Sequence, residues 1–438
     1  MRPECQVGGR NQAVLGRELT NVHARLFARI MRLALRLRAR QSRSVYRPKG
    51  NTVDRRTLER SLARRLLQHI DQRTTDMAEG CLEVACETYT SVARHVEEWN
   101  VLFLNQPLVL CMSGALPQPN TYLAIELCDT PLLLTRDADG KVHALLNSCR
   151  HRGARVADGC GEAKRFTCPF HAWTYNTAGE LVGMPVANAF EGMRRQDKGL
   201  IELPVDEGYG LIVGRLRPGA AVNIADYLGP ELAQELALLD VAKWQPFSEP
   251  HVHPVAANWK VTLDTYRENY HFNFLHKNTL KDFAYGGVLT FDAFGKHLRN
   301  CSAVRTIDAL REQDESEWAD LIQHFTYQYA LFPNTSLTIG PRHLELWQIL
   351  PVSATTSRVL HTAYVRPDLT QAAREKAQEQ IAWICKGVVD TEDFWVAART
   401  EPGISTGILE TVVFGRNEPA LQHLHREFSA ELERARSL

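Results

Sequence analysis

The chain has 438 residues, 44% of them apolar, and 51 Lys and Arg against 51 Asp and Glu. This ordinary globular composition with a neutral balance argues against a general nucleic-acid binder, and no apolar run approaches the ~18 residues of a membrane-spanning helix. Ten cysteines are too few for a disulfide scaffold and read as buried thiols plus a metal site, on a length that allows two or three domains.

The first predicted segment, residues 1–55, is a basic extension. Residues 1–50 hold eleven Arg and one Lys against Glu4 and Glu18, a net of +10. Arg alternates with Leu, Ile and Phe from Ala24 to Arg40. This reads as a dispensable or disordered extension, with an amphipathic helix on an anionic surface and an Arg-rich transit peptide as alternatives. Its arginines interrupt every candidate apolar core, which excludes a secretory signal. Residues 56–105 form a helical arm, because Arg55 to His69 has helical period and charge.

Residues 106–217 read as a small all-β unit. The runs TYLAIELC, PLLLTRD and KVHALLNSC have strand length, and Asp137–Gly140 and Asn176–Gly179 carry turn signals. Inside this unit Cys149-Arg150-His151 is followed, after sixteen residues, by Cys168-Pro169-Phe170-His171. Each half lets two ligands grip from one tight loop. One zinc ion would take all four; a Rieske [2Fe–2S] cluster would take two Cys on one iron and two His on the other. The C-x-H half is unusual for zinc, which favours the cluster. Trp173 is expected to shield it from solvent. Cys160 and His143 lack paired spacing and read as structural.

Residues 218–438 mix helices with strands such as LELWQILPV and SRVLHTAYV. In Asn258–His276, Glu268 and His271 are three apart and can share a helix face. His271 and His276 are five apart and meet one ion only if the helix is distorted or ends there. A carboxylate from elsewhere would complete a two-His, one-carboxylate site for non-haem iron. Asp390, Glu392 and Asp393 are the candidates, and spacing does not choose between Asp390 and Asp393. Asn258 and Trp259 read as cap and packing; Tyr270 as pocket lining or core. His251 and His253 read as structural for want of a partner carboxylate, and His423 and His425 as residents of a surface helix. The stretch 281–296 is expected to cover the pocket. No GxGxxG or Walker pattern appears, and Cys81-x₄-Cys86 lacks a following C-x₂-C.

NSCRHRGARV, TCPFHAWTYNTAGEL, NWKVTLDTYRENYHFNFLH, GVVDTEDFW and VVFGRNEPALQHLHR together resemble the alpha (terminal oxygenase) subunit of Rieske non-haem iron ring-hydroxylating oxygenases, from about residue 57 onward. The resemblance implies an α+β chain: an all-β Rieske domain plus a helix-grip catalytic domain of antiparallel sheet and long helices, against which the arm packs. It implies Cys149, His151, Cys168 and His171 as [2Fe–2S] ligands, and His271, His276 and Asp393 as ligands of a mononuclear Fe(II). Asp393 is preferred because the family's carboxylate follows an acidic residue. Glu268 stands where many members have Asp. It resembles the carboxylate that bridges a Rieske His of one subunit to an iron-binding His of its neighbour, with Asp264 as the nearest alternative.

The implied function is hydroxylation of an aromatic substrate with O₂ and externally supplied electrons, that is, a ring-hydroxylating dioxygenase. The alternative is a monooxygenase performing N- or O-demethylation or quaternary-amine cleavage. An NAD(P)H-dependent reductase, with or without a ferredoxin, would be the donor. A cytoplasmic homo-oligomer built on a trimer, with room for a beta subunit, is expected. A Rieske electron carrier and a zinc-stabilised binding module are competing classes; the second ligand set argues against both.

Overall fold

The computed structural model describes residues 54–247 and 250–437. The basic extension lies outside the described residues up to Val53.

Helix α1 (Arg55–Gln72) starts where the Asp54 side chain accepts from Thr57 N at 2.7 Å, and it ends at Arg73, whose φ of 52° is left-handed. Leu62, Ala63, Leu66 and Leu67 form one buried stripe. The Arg65 side chain reaches out from the helix to pair with Asp76 and Asp292, which ties the arm to the large sheet described below.

The segment that follows is built from short antiparallel strands. One five-stranded sheet has β3 (Thr121–Leu127), β4 (Thr130–Arg136), β5 (Val142–Leu146), β6 (Cys160–Glu162) and β10 (Glu202–Leu203) in the order β10-β5-β4-β3-β6. A three-stranded sheet joins β7 (Arg165–Thr167), β8 (Thr174–Asn176) and β9 (Leu181–Gly183). Another joins β11 (Val205–Gly208), β12 (Leu211–Gly214) and β2 (Leu108–Met112). β1 (Leu82–Ala85), from the arm, pairs with β21 (Thr411–Phe414), near the chain's other end.

The larger layer is an eight-stranded antiparallel sheet. It runs β13 (Gln245–Pro246), β20 (Ser357–Val365), β19 (His343–Pro351), β18 (Thr335–Ile339), β17 (Phe325–Leu331), β16 (His297–Val304), β15 (Ala284–Phe294), and β14 (His251–Val255) also pairs with β20. Central strands β16 and β19 are buried along their whole length, so both their faces are covered. A continuous apolar core joins Leu123 and Leu132 of the small unit to Trp347 and Ile349 of the large sheet. A buried ion pair sits in the same layer. Lys260 Nζ donates to Glu98 Oε2 at 2.6 Å, and both side chains are 1% exposed.

Three sequence expectations change. Asn258 caps the helix Trp259–Asp264 and Trp259 is buried at its start, but the helix stops at Asp264, well before the histidines. His425 lies on the C-terminal helix Pro419–Arg436 yet is buried, because it faces Asp264 at 3.1 Å and Tyr89. Most of 281–296 is the strand β15, so the stretch meets the cavity described below only at its start, through Phe283 and Ala284. Among the described residues no helix is long and apolar enough to cross a membrane.

Candidate metal centres

The small β unit brings its two loops together. Cys149 and Cys168 are buried, while His151 is half-buried and His171 exposed. The two imidazoles face each other, Nδ1 to Nδ1, at 3.1 Å. Two backbone positions hold these loops in shape. Gly153, φ 80°, closes the first loop with its N–H donating to Cys149 O, and Ala172, φ 56°, does the same for the second with Cys168 O. Trp173 is buried and stacks on His151 at 5.0 Å between centroids. Tyr175, on β8, reaches under the first loop: its hydroxyl lies 3.3 Å from Cys149 Sγ and accepts from Arg150 N at 3.0 Å. Burial of Tyr175 pushes its phenol well above the ordinary value. His143 is held between Glu202 and Asp137, a structural role.

Among the described residues, two groups of three metal-type donors come within 4.8 Å of one another, and this set is in neither. Four ligands of a single zinc ion stand ~4 Å or less apart, given metal–ligand bonds of ~2.0–2.3 Å. The wider set, with two thiols inside and two imidazoles at the surface, suits a two-iron cluster instead.

His271, His276 and Asp393 form one of the two close groups. The histidines sit on a 3₁₀ turn (Tyr270–Asn273) and the turns after it, so a five-residue spacing closes without a helix: Nε2 to Nε2 is 3.0 Å. The distortion is on the other side. Residues Ile384–Asp393 form a π-helix between the helices Gln371–Trp383 and Phe394–Ile404. In an α-helix Asp390 and Asp393 would share a face; the wider i→i+5 turn separates them. Asp390 accepts from His253 Nδ1 at 2.6 Å. Asp393 Oδ1 instead lies 3.3 Å from His276 Nε2 and 3.5 Å from His271 Nε2. Glu392 accepts from His276 Nδ1 at 2.7 Å and from Thr279 Oγ1 at 2.7 Å.

Glu268 accepts from the Nδ1 of His271 and from the backbone N–H groups of Tyr270 and His271. Asp264 is turned away, toward His425 and Tyr89. Each imidazole therefore gives its Nδ1 proton to a glutamate and turns its Nε2 to Asp393, the usual way a protein orients metal-binding histidines. Burial lowers the His271 pKa, but Asp393 and Glu268 outweigh it and raise the group to about 9. Burial likewise works against the Asp393 charge, yet the two imidazoles keep its carboxyl below the usual range. Asp393 Oδ1 is buried and accepts no well-formed hydrogen bond. A buried oxygen left so, opposite two Nε2 atoms, fits a divalent cation in the place a proton would otherwise take.

This trio opens into a cavity of about 360 Å³. Its wall includes Tyr266, Phe272, Phe283 and Trp347, with Arg342 and Glu345 as the charged groups away from the trio. Arg342 Nη2 donates to Gln380 at 3.3 Å, but its buried Nε has no partner. Burial opposes ionisation of Glu345, while His343 and His361 hold its carboxyl down at about 2. Tyr270 neither lines this cavity nor enters the core: it is 53% exposed and packs on Phe274. Sequence reading missed Tyr175 and Arg342, which carry no spacing signal, and gave Glu392 only as an alternative ligand. It also missed the carboxylate partner of His253, since Asp390 lies 137 residues away.

Comparison with known proteins gives two family matches: "Rieske [2Fe-2S] domain" over residues 106–197 and "Ring hydroxylating alpha subunit (catalytic domain)" over residues 241–433. The chain is 27% identical over 216 residues to the anthranilate 1,2-dioxygenase large subunit of Acinetobacter baylyi, covering 48% of this chain and 45% of the relative. It is 30% identical over 185 residues to the carnitine monooxygenase oxygenase subunit of Acinetobacter pittii, covering 42% and 49%. The chain thus spans about half the length of these curated relatives. Among solved structures it is similar in fold to a quaternary ammonium Rieske monooxygenase, described for carnitine oxidation and inter-subunit electron transfer. The TM-score is 0.67 at 21% identity, over 81% of this chain and 96% of the other.

Proposed function

Because the chain belongs to the Rieske oxygenase alpha-subunit family, we propose that it hydroxylates a small carboxylate-bearing aromatic substrate as the terminal component of an electron-transfer system. Its cofactors are a Rieske [2Fe–2S] cluster and a mononuclear iron. When bound, the cluster supplies single electrons and the iron supplies the centre at which O₂ is activated.

The protein's own groups divide the remaining work. Cys149, Cys168, His151 and His171 would hold the cluster, and His271, His276 and Asp393 the iron. Glu268 and Glu392 keep both Nδ1 protons and fix the rings with Nε2 forward. Glu268 is assigned the bridge to a neighbouring subunit's cluster, in a homo-oligomer built on a trimer. Its contact with His271 supplies one half of that bridge, and inter-subunit electron transfer is described for the quaternary ammonium relative. The donor is a separate reductase, with or without a ferredoxin. Domains divide at about residues 56, 106 and 218, the arm packing against the catalytic part.

Arg342 carries the substrate reading. Its guanidinium is the cavity's fixed positive charge away from the trio, with a buried N–H left to donate. The Glu345 carboxylate faces the protein's own histidines, His343 at 3.1 Å and His361 at 3.1 Å, and Arg342 is the cation left to meet a ligand anion. Tyr266, Phe272, Phe283, Trp347 and Trp383 add aromatic faces to a wall otherwise made of aliphatic and neutral polar side chains. The second reading is oxidative cleavage of a carboxylate-bearing quaternary amine. Tyr266 and Trp347 favour it, because aromatic faces attract such cations.

Oxygen uptake and product analysis on the reductase-coupled protein separate the readings. Benzoate-type acids should give ring-hydroxylated products, and Arg342→Ala should raise KM at least ~10-fold, since a charged hydrogen bond is worth about 1.5–3 kcal/mol. Turnover of betaine-type substrates with release of aldehyde would replace the first reading with the second. Equal turnover of uncharged arenes by both forms would remove the carboxylate claim.

A further inference from the structure

Behind the cavity wall lies the second close group of metal-type donors: a nitrogen each of His253 and His361 and the sulfur of Cys385, within 4.8 Å of one another. None of the three lines the cavity. His253 comes from β14 and His361 from β20, neighbouring strands of the large sheet. Cys385 is the second residue of the π-helix that ends at Asp393.

A plain hydrogen-bonded cluster accounts for part of this. The Cys385 thiol, 3.1 Å from His361 Nδ1, satisfies that nitrogen. It leaves His253 Nε2 with no partner, on a side chain only 1% exposed. The orientation of the rings accounts for the rest. His253 gives Nδ1 to Asp390 at 2.6 Å, and His361 Nε2 stands 3.1 Å from Glu345 Oε2. The His253 ring thus has a hydrogen-bonded carboxylate behind it, as His271 and His276 have in Glu268 and Glu392, while His361 Nε2 has Glu345 as a charged neighbour without a formed hydrogen bond.

We propose that His253, His361 and Cys385 bind one zinc(II) ion, which pins the π-helix carrying Glu392 and Asp393 to the β14–β20 edge of the sheet. Two imidazoles and a thiolate are zinc's preferred donors, and a water completes the four positions. The thiolate, Asp390 and Glu345 offset the ion's charge. Uptake of the ion displaces the thiol proton, so binding releases a proton. This site is independent of the substrate reading above: either stands if the other fails.

The test uses full-length protein with both iron centres loaded, exposed to zinc and then desalted. About one zinc per chain should remain. Its X-ray absorption should show a single sulfur at ~2.3 Å with nitrogen at ~2.0–2.1 Å. Cys385→Ser should lose that sulfur shell, and His253→Gln should lose the retained zinc, with the reduced-cluster EPR signal unchanged in both. Zinc misplaced in the His271–His276–Asp393 site would show no sulfur; zinc in an unfilled cluster site would show two, and they would survive Cys385→Ser. On the unmutated chain, whether or not the variants fold, Cys385 should resist alkylation with zinc and react after chelation. No retained zinc, a sulfur shell indifferent to Cys385→Ser, or equal alkylation with and without zinc overturns the proposal.

Discussion

His276 and Glu392 meet at 2.7 Å, on the ring edge opposite the one that faces Asp393 at 3.3 Å. Two consecutive acidic residues of one π-helix thus act on two edges of a single imidazole. Glu392→Ala should leave the ring free to turn. Iron affinity at this centre should fall roughly 10–100-fold, the usual cost of losing such a partner. Equilibrium dialysis of iron against a competing chelator reads this directly. Asp393→Ala should abolish the mononuclear iron, whereas Asp390→Asn should keep it; all three variants should retain the reduced-cluster signal. Loss of iron in Asp390→Asn with retention in Asp393→Ala would reverse the assignment.

Tyr175 offers its hydroxyl to Cys149 Sγ at 3.3 Å from within the small unit's core. A hydrogen bond to a cluster sulfur stabilises the more negative, reduced state and raises the potential. Tyr175→Phe removes only the oxygen. The midpoint should fall by roughly 40 mV, which is ~1 kcal/mol of hydrogen bond at 59 mV per 1.4 kcal/mol for one electron. A potentiometric titration followed by EPR measures it, and an unchanged midpoint would leave Tyr175 as packing alone.

Lys260 is fully buried, and its compensating charge is Glu98 at 2.6 Å. Burial lowers the lysine pKa and Glu98 opposes that shift. Glu98 also takes the Trp259 indole N–H and pairs with Arg94. Glu98→Ala should cost about 3–5 kcal/mol, because it leaves a buried cation without its partner. Lys260→Met should cost less, since Arg94 and Trp259 still serve Glu98. Denaturant unfolding of the pair ranks them, and equal losses would contradict the account.

His297 is held neutral: its Nε2 donates to Tyr227 O at 2.6 Å and its Nδ1 accepts from Phe332 N at 3.0 Å. Burial lowers its pKa to about 4. The folded pKa lies below the unfolded value of ~6.5, so the contribution is complete above about pH 6.5 and is lost as pH falls toward 4. At 1.36 kcal/mol per unit the loss is about 3 kcal/mol. His297→Gln should flatten this acid limb of the unfolding curve between those pH values; an unaltered limb would assign it to other groups.

The local sequence settled much about this chain. Strand-length runs and turn residues outlined the small β unit, and an apolar stripe outlined α1. C-x-H and C-x-x-H each pack two metal-type side chains into one loop, so the four candidates were legible from spacing, and their reading as cluster ligands drew on the resemblance as well. His271 and His276 were legible as a pair, together with the condition that no regular helix joins them. The selection among Asp390, Glu392 and Asp393 was different. It rested on resemblance at the sequence level, because three residues apart means one face on an α-helix and separate faces on a π-helix, and only the tertiary structure shows which is formed. The same holds for His253, whose carboxylate partner Asp390 arrives only when the π-helix packs against β14, and for His425, whose burial depends on Asp264 arriving from the helix Trp259–Asp264. Arg342 and Glu345 become cavity charges only once β19 and the turn before it are packed against the elements that carry the trio. Ligands that share a loop are fixed by covalent geometry and so are written in the sequence. Partners drawn from distant elements are chosen by packing and local helix winding, which the sequence encodes only through the whole fold.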